Sequence, residues 1–267
     1  MDTLLDLKHT SGLDLKLDVK TARLLIGEGL TKPEPAIRTI DEMREVLADS
    51  SVKEPRDLYF MYRDLHATAD NALLEKYKLR YDVTVIKADH LGGEFMKTAG
   101  HYHPGNYGEL YEVLTGNAIC VLQKRDLKDD SIIEDVIAVQ AKAGEKIVIP
   151  PGYGHILVNP GPGFLVTSNW VSSLFASEYQ LYKKAKGAAY FLFDPQGKAG
   201  ESVRYSVNKY FKKLTAVRHA LAAPKLDRFG LKKDSPIYPL IRVSPEKLDF
   251  LNRPMDFDYK DIFTYIL

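Results

Sequence analysis

The chain has 267 residues, of which 45% are hydrophobic and 27% are charged, a composition typical of a globular protein with a buried core. Its 37 basic and 36 acidic residues leave no charge excess that would attract nucleic acid or an anionic membrane, so neither partner is expected. The N-terminal residues lack a basic start followed by an apolar run, and Cys120 is the single cysteine. We therefore expect a cytoplasmic protein without a signal peptide, a membrane span or disulfides.

The first thirty residues mix short apolar runs with turn residues, which predicts a peripheral strand or two. After Pro33 and Pro35, apolar residues recur at helical spacing between residues 37 and 47, so we expect a short helix there. From Leu58 the pattern changes to short β-rich runs separated by glycine, proline and asparagine. The strands predicted in this part are 58–62, 81–86, 111–114, 118–122, 132–133, 136–139, 146–149, 155–158 and 164–167.

Many short strands at close intervals indicate a mainly β protein, built as an antiparallel sandwich or small barrel with peripheral helices. Residues 188–193 are expected to form one more strand of this unit. We accordingly assign residues 1–195 to a β-barrel domain that includes the N-terminal strand and helix segment. Residues 196–267 are expected to be a C-terminal extension, packed on the core or on a dimer partner.

The extension is predicted to begin with a helix. Between Ser206 and Leu221, apolar residues recur at helical spacing and basic residues occupy the opposite face. A basic amphipathic helix could bind a membrane or a protein partner. The interpretation we favour is a packed helix with a solvated outer face, because the charge of the surrounding sequence is ordinary. The remaining residues carry several prolines and aromatics and are expected to form an extended tail.

Four residues form the candidate metal site. His101 and His103 project from the same face of an extended segment, because side chains at i and i+2 of a strand point the same way. The segment 104–108 reads as a turn that would bring Glu109 back on the adjacent strand, and His155 begins another strand. Three imidazoles and one carboxylate suit Fe²⁺, Mn²⁺, Ni²⁺ or Zn²⁺ and leave positions open for water or substrate.

The spacing of these residues resembles the two cupin motifs. His101-x-His103, five residues, Glu109, six residues and Gly116 is similar to the first motif. The second motif is matched at every defined position, by Gly144, Pro150-x-Gly152, His155 and Asn159. The resemblance implies a cupin fold, a small antiparallel β-barrel of jelly-roll type, in agreement with the strand pattern.

A narrower resemblance is to the archaeal-type, metal-dependent glucose-6-phosphate isomerases of the cupin superfamily, over about residues 15–190. It rests on Thr84-Val-Ile, Gly93-Glu-Phe, Thr98-x-Gly100-His-aromatic-His, Glu109-x-Tyr111 and Pro150-Pro-x-x-x-His155. The resemblance implies a homodimeric enzyme of glycolysis or gluconeogenesis with one divalent ion per subunit, Fe²⁺ first among the metals. The ligands it implies are His101, His103, Glu109 and His155. It also implies that Thr84, Thr98 and Gly100 bind the sugar phosphate and that Tyr111 lines the pocket.

The sequence departs from this family at two pocket positions. The family's downstream histidine-acid-tyrosine element stands here as Ser177-Glu178-Tyr179, so the histidine is replaced by serine. A pocket tyrosine is expected to be replaced by Trp170. The chain also continues further beyond residue 195 than in compact members of the family. Both replacements concern contacts to the sugar rather than the metal ligands.

The expected reaction moves a hydrogen between C2 and C1 of a sugar phosphate and shifts its carbonyl group. A divalent ion would stabilise the developing enediolate, and Glu109 is the candidate catalytic residue that carries the proton. A hydride shift between C1 and C2, which needs no base, stays open. Two other functions stay open as well. One is a different cupin enzyme, such as an oxygenase or another sugar-phosphate isomerase, and the other is a non-catalytic sugar-binding cupin.

Overall fold

The computed structural model describes residues 3–195, 203–223 and 225–266, and most of this part of the chain is built from strands. The first strands are β1 (Leu4–Asp6), β2 (Leu15–Asp18), β3 (Arg23–Ile26), β4 (Ala36–Thr39), β5 (Asp57–Tyr62), β6 (Leu79–Ile86), β7 (His90–Leu91) and β8 (Glu94–Lys97). They are followed by β9 (Glu109–Thr115), β10 (Asn117–Arg125), β11 (Ile132–Lys142), β12 (Lys146–Ile149), β13 (Tyr153–Asn159), β14 (Leu165–Ser172) and β15 (Tyr190–Phe193). The last strands are β16 (Arg204–Val207), β17 (Lys213–Leu214), β18 (Val217–Ala222), β19 (Lys225–Leu226), β20 (Leu231–Lys232) and β21 (Phe263–Tyr265).

The helices are short and peripheral. They are α1 (Lys8–Ser11), α2 (Ile40–Met43), α3 (Asn71–Tyr77), α4 (Gln180–Lys184) and α5 (Leu240–Val243). Turns of 3₁₀ helix lie at Arg44–Val46, Thr68–Asp70, Pro104–Asn106, Asp227–Phe229, Pro245–Leu251 and Pro254–Asp256. Within the described residues, none of these helices has the length and apolarity needed to cross a membrane.

Two large sheets form the barrel. The six-stranded sheet has the order β12-β9-β14-β6-β5-β4, and all of its neighbours are antiparallel. The ten-stranded sheet has the order β16-β15-β8-β13-β10-β11-β18-β21, with β7 on β8 and β17 on β11. Only β17 and β18 run parallel to their neighbour, β11, among the described strands. The predicted mainly β, antiparallel jelly-roll barrel is confirmed.

Strand alternation decides which side chains reach the inside of the barrel. In β6, Tyr81 and Val83 are fully buried in the hydrophobic core. The alternate residues Arg80, Asp82 and Thr84 face the opposite way and line a cavity. Because successive side chains of a strand point to opposite faces, one strand supplies both packing and a polar inner wall.

The helix predicted over residues 37–47 is only partly present. Ala36–Thr39 forms β4 on the edge of the six-stranded sheet instead, and α2 begins after Thr39. The Thr39 side chain accepts a hydrogen bond from the Glu42 N–H, while the Glu42 carboxylate accepts one from the Thr39 N–H. This reciprocal capping box starts the helix at residue 40, and the residues before it satisfy their backbone groups by pairing with β5.

The helix predicted between Ser206 and Leu221 is wrong. This segment forms the end of β16, then β17 and β18, and β18 pairs along β11 from Val136 to Gln140. The edge of β11 offers a row of backbone partners, and pairing with it satisfies hydrogen-bonding groups of both strands, including those of β11 that a helix here would leave open. Leu221, expected on the packed face, is 44% exposed. The membrane-binding and partner-binding interpretations of this helix lose their basis.

The C-terminal extension contacts both sheets: β16, β17, β18 and β21 join the ten-stranded sheet, and the segment around Ile237 and Tyr238 packs on the outer face of the six-stranded sheet. Trp170, on β14, donates a hydrogen bond from its indole nitrogen to the Ile237 carbonyl. Tyr238 donates to the Asp70 carboxylate and accepts from the Ala67 N–H. The predicted boundary between 195 and 196 adjoins residues 196–202, which lie outside the described residues, so the division into two domains stays a prediction.

Candidate metal centre

The three histidines of the site come from two segments of the ten-stranded sheet. His155 lies in β13, and His101 lies in the extended segment that follows β8. The two residues exchange backbone hydrogen bonds, from the His101 N–H to the His155 carbonyl at 3.2 Å and in the reverse direction at 3.0 Å. His103 follows two residues later in extended conformation, as the His-x-His spacing predicted. This pairing brings all three imidazoles to one point.

Glu109 reaches the histidines from the opposite sheet. It is the first residue of β9, in the six-stranded sheet, opposite Ile149 of β12. The turn predicted over residues 104–108 is present, but the expectation that it returns Glu109 on the strand adjacent to the histidines is wrong. Gly105 takes a left-handed conformation with φ of 70° in this turn, and the chain crosses between the two sheets there. The site therefore straddles the barrel.

The four side chains converge closely. From Oε2 of Glu109, Nε2 of His155 lies at 3.0 Å, Nε2 of His103 at 3.2 Å and Nε2 of His101 at 3.8 Å. The ligand atoms of all four lie within 4.8 Å of one another. Ligands about 2.1 Å from a common ion that subtend a right angle at it are about 3 Å apart, so the spacing fits one ion. Within the described residues, this is the single cluster of its kind.

The hydrogen bonds around the cluster leave Oε2 of Glu109, the oxygen that faces the histidines, without a partner. Nδ1 of His103 lies 2.9 Å from the Tyr107 carbonyl oxygen, which can only accept, so this ring nitrogen carries the proton. In the neutral ring, Nε2 then directs a lone pair at Oε2 of Glu109, a buried oxygen without a well-formed hydrogen bond. Lone pairs facing each other across about 3 Å are unfavourable without a cation between them. The residues present fit a bound divalent ion.

The ionisation of the cluster favours the same arrangement. Burial, followed by the neighbouring His155 ring, lowers the pKa of His101 to about 3, and burial also lowers the pKa of His155. Burial opposes ionisation of Glu109, but hydrogen bonds to its carboxylate from histidine rings that carry their proton on Nε2 hold the pKa of this carboxyl well below its usual range. Neutral imidazoles beside an ionised carboxylate are the protonation states that metal ligation requires.

Two further side chains orient the ligands. The amide of Asn169 donates a hydrogen bond of 2.7 Å to Oε1 of Glu109. The Tyr111 hydroxyl lies 3.3 Å from Nε2 of His155. Tyr111 was expected at the pocket, whereas the sequence interpretation missed Asn169. No sequence signal pointed to it, because the register that places Asn169 directly opposite Tyr111 is known only from the structure.

The residues of the candidate metal site open into a narrow cavity that both sheets line. All four residues predicted to bind substrate line it: Thr84, Thr98, Gly100 and Tyr111. Thr98 uses its hydroxyl oxygen to accept the Leu157 N–H and keeps its own proton free to donate elsewhere. Gly100 has φ of 79°, and an added Cβ would lie 2.5 Å from an Ile156 methyl carbon. Packing alone therefore requires glycine at this position.

The two positions that depart from the family, Ser177 and Trp170, differ in whether they reach the cavity. Ser177 and Tyr179 line the cavity, as the resemblance implied for their element. Trp170 does not, because its fully buried ring faces the C-terminal extension and stacks on Tyr238. Its strand neighbour Val171 occupies the cavity wall instead. The expectation that Trp170 replaces a pocket tyrosine is therefore wrong by one residue of strand register.

The wall of the cavity carries charged residues that the sequence interpretation did not single out. They are Arg63 at the end of β5, and Arg80 and Asp82 on β6. Arg80 and Asp82 precede Thr84 by four and two residues, so strand alternation from Thr84 could have placed them on the same face. That inference required knowing that the Thr84 face is the inner one.

The family model for glucose-6-phosphate isomerase matches residues 37–209 of this chain. No curated protein sequence matches it significantly. Similar solved structures include an oxalate oxidase, with 17% identity, 38% of this chain and 46% of that chain covered, and a TM-score of 0.31. Oxalate decarboxylase from Bacillus subtilis has 18% identity, coverage of 45% and 27%, and a TM-score of 0.32. Vicilin from Solanum melongena has 12% identity, coverage of 45% and 30%, and a TM-score of 0.35. The chain spans less than half of these three structures, and likeness at this level assigns no function.

Proposed function

Because the chain belongs to the cupin-type glucose-6-phosphate isomerase family, we propose that it interconverts glucose 6-phosphate and fructose 6-phosphate in a metal-dependent reaction. The observation that carries the proposal is the convergence of three histidines and Glu109 beside a cavity that His101 and Glu109 line. The family match supports the proposed reaction class, and the cluster is the site to which we assign the reaction. As a member of this family, the chain is proposed to act as a cytoplasmic homodimer in glycolysis or gluconeogenesis.

The proposed ligands of the ion are His101, His103, Glu109 and His155. A mixed nitrogen and oxygen set of this kind suits Fe²⁺, our first proposal, and also Mn²⁺, Ni²⁺ or Zn²⁺. A bound divalent ion would stabilise the negative charge that develops on the sugar oxygens at C1 and C2. The low pKa values of His101 and His155 keep both rings free of competing protons at neutral pH.

Glu109 is proposed to carry the proton between C2 and C1. Its carboxylate lines the cavity, and it is ionised, as a base must be. A carboxylate with such a low pKa is a weak base. For proton transfer to be efficient, substrate binding has to raise the pKa of Glu109. Asn169 holds Oε1 while the histidines surround Oε2, which fixes the direction in which the carboxylate faces the cavity.

The four predicted substrate contacts are proposed for the rest of the sugar phosphate. The hydroxyls of Thr84 and Thr98 and the Tyr111 ring line the cavity from three different strands or strand ends. A hydroxyl can both donate to a phosphate oxygen and accept from a sugar hydroxyl, so the two threonines suit either partner. The backbone N–H of Gly100 has no hydrogen-bond partner among the described residues and is proposed to bind the substrate. The neighbouring Ala99 N–H donates a hydrogen bond to the Tyr59 hydroxyl.

The test is a coupled assay of fructose 6-phosphate conversion, with protein stripped by chelator and reloaded separately with Fe²⁺, Mn²⁺, Ni²⁺ or Zn²⁺. We expect activity that requires metal and is lost in His103→Ala, with exposed His9→Ala as the matched control. Absence of turnover with every metal would overturn the proposal. Oxygen consumption with a phenolic or keto substrate would then favour an oxygenase, and sugar binding without turnover would favour a binding protein.

A further inference from the structure

Two arginines share the cavity with the metal cluster but have no assigned role. Arg80 and Arg63 both line it, on the wall formed by β6 and the end of β5. Neither contacts the metal-ligand set directly by any hydrogen bond or ion pair of the described residues. Guanidinium groups facing a cavity prefer anionic ligands, because their planar N–H groups match the oxygens of phosphate and carboxylate.

Arg80 is held in a fixed orientation by Asp82. Its Nε lies 2.9 Å and 3.1 Å from the two carboxylate oxygens, and its Nη2 lies 2.8 Å from Oδ2. The Asp64 N–H donates to Oδ1 of the same carboxylate at 2.9 Å, which anchors Asp82 in turn. Within the described residues, Nη1 of Arg80 has no hydrogen-bond partner. The Nη1 N–H groups can therefore donate to a ligand, and Asp82 already fixes the plane of the guanidinium.

Arg63 adds a second positive charge to the same wall. Its Nη2 lies 3.8 Å from the Met61 sulfur, and no carboxylate of the described residues lies within 4.0 Å of its guanidinium. The negative charge of Asp82 balances the positive charge of Arg80. The net positive charge of this wall therefore comes from Arg63. An anion placed here would gain charge-assisted hydrogen bonds from Arg80, which Asp82 orients, and from the exposed Arg63.

The distance across the sheet fits a sugar phosphate. Arg80 lies opposite Val171, and Val171 lies opposite Glu109. Two strand spacings of about 4.8 Å therefore place the Arg80 backbone about 10 Å from that of Glu109. A six-carbon sugar phosphate whose C1 and C2 are at the metal ligands is long enough to place its 6-phosphate at this wall. Thr84, on the same face of β6, lies four residues further along the strand, opposite Thr167 rather than on the row that joins Arg80 to Glu109.

We propose that Arg80, positioned by Asp82, and Arg63 bind the phosphate group of the sugar substrate and select phosphorylated over unphosphorylated sugars. The inference rests on the proposed isomerase function and names the groups that set its substrate class. It differs from the contacts expected from the sequence, which assign the phosphate to two threonine hydroxyls and a glycine N–H without arginine. Asp82 acts as a positioning residue, since both of its oxygens are occupied by protein groups.

The test measures binding and catalysis separately. Titration calorimetry on metal-free protein gives the Kd of fructose 6-phosphate, of fructose and of inorganic phosphate, and the coupled assay on reloaded protein gives kcat and KM. Arg80→Ala and Arg63→Ala should each weaken fructose 6-phosphate and phosphate binding about 10- to 100-fold, the range for a charged hydrogen bond. Fructose binding should not change. The loss should appear in KM rather than in kcat, because the phosphate contact is the same in ground and transition states.

Three further variants keep the test decisive. Arg80→Lys retains the positive charge but not the paired N–H donors of the guanidinium, so it should recover only part of the phosphate affinity. Asp82→Asn should weaken phosphate binding less than Arg80→Ala while leaving metal content unchanged. Arg253→Ala is the matched control, since Arg253 also pairs with an aspartate but lies in the C-terminal extension, outside the cavity. Melting temperatures and metal content should match the wild type in every variant that is compared.

The outcomes separate the two proposals. Arginine variants that bind fructose 6-phosphate as tightly as the wild type would overturn the arginine assignment, most clearly if Thr84→Val binds it weakly. A wild-type protein that shows no preference for phosphorylated ligands would overturn it as well. Arginine-dependent binding of fructose 6-phosphate without turnover on any metal would uphold the phosphate site and reject the isomerase function instead.

Discussion

The side-chain amide of Asn169 lies 2.7 Å from Oε1 of Glu109 and donates a hydrogen bond to it, from one strand of the six-stranded sheet to the next. Both residues are buried, with exposed fractions of 5% and 3%. Because Oε1 is occupied in this way, Oε2 is the oxygen that faces the three histidines. Asn169 thus decides which edge of the carboxylate is offered to a metal ion.

Replacing Asn169 should weaken metal binding without removing a ligand. In Asn169→Leu, Oε1 of Glu109 loses its donor in a buried setting and the carboxylate is free to rotate, so we expect a 10- to 100-fold loss of metal affinity. Competition with a chelator of known affinity measures the effect. The control is Ser168→Ala, on the same strand, which removes a hydroxyl without a hydrogen-bond partner in the described residues. Equal affinity in Asn169→Leu and wild type would refute the orienting role.

Removal of a proposed histidine ligand should have a larger effect. His155→Ala leaves three ligands and a buried space beside Oε2 of Glu109, so bound metal after dialysis should fall from about one per chain to a trace. Elemental analysis gives the metal content, and thermal unfolding shows whether the variant still folds. His219→Ala, on β18 and outside the cluster, should keep its metal. Full occupancy in His155→Ala would contradict the proposed ligand set.

Folding stability should depend on pH through Glu112, on the outer face of β9. Burial raises the pKa of this carboxyl from 4.5 to about 7, although Lys146 Nζ at 2.9 Å and the Ile237 N–H at 3.0 Å oppose the shift. An acid with a raised pKa holds its proton longer in the folded state than in the unfolded state. Its contribution to stability is therefore complete below pH 4.5 and is lost as pH rises to about 7.

The size of that pH effect is measurable. The shift corresponds to about 3 kcal/mol between the two ends of the range. Urea unfolding at a series of pH values should show wild-type stability falling across this window relative to Glu112→Gln, which cannot ionise. Glu145→Gln, which removes a more exposed carboxylate paired with Lys233, should preserve the wild-type slope. Parallel pH profiles for wild type and Glu112→Gln would rule out the assignment.

The C-terminal extension should contribute to the stability of the barrel. Tyr238→Phe removes a hydroxyl that bonds both the Asp70 carboxylate and the Ala67 N–H, leaving two buried polar groups without this partner. We expect a loss of about 1–3 kcal/mol in the free energy of unfolding. Chemical denaturation measures it, with Tyr265→Phe, a 45% exposed tyrosine in β21, as the control. A change under about 0.5 kcal/mol would show that this contact is not a stabilising one.

The sequence predicted some parts of the fold better than others. Strands with β-branched runs and turn residues at both ends, such as 146–149, were found at their true positions, because their local signals agree with their burial. The segment from Ser206 to Leu221 failed for the opposite reason. Its apolar spacing suits a helix face, but the open edge of β11 recruits Val217–Ala222 as a strand, and an edge in need of a partner is invisible in the local sequence.

The sequence by itself determined the four candidate metal ligands, because the two spaced motifs fix which histidines and which glutamate act together. It also determined the barrel class, through the alternation and turns of its strands. Only the tertiary structure decided that Glu109 meets the histidines from the opposite sheet, that Asn169 orients it and that Arg80 shares its cavity. Those relations depend on the register between strands that are distant in sequence, and a single strand's pattern shows its two faces without showing which residue of another strand lies opposite.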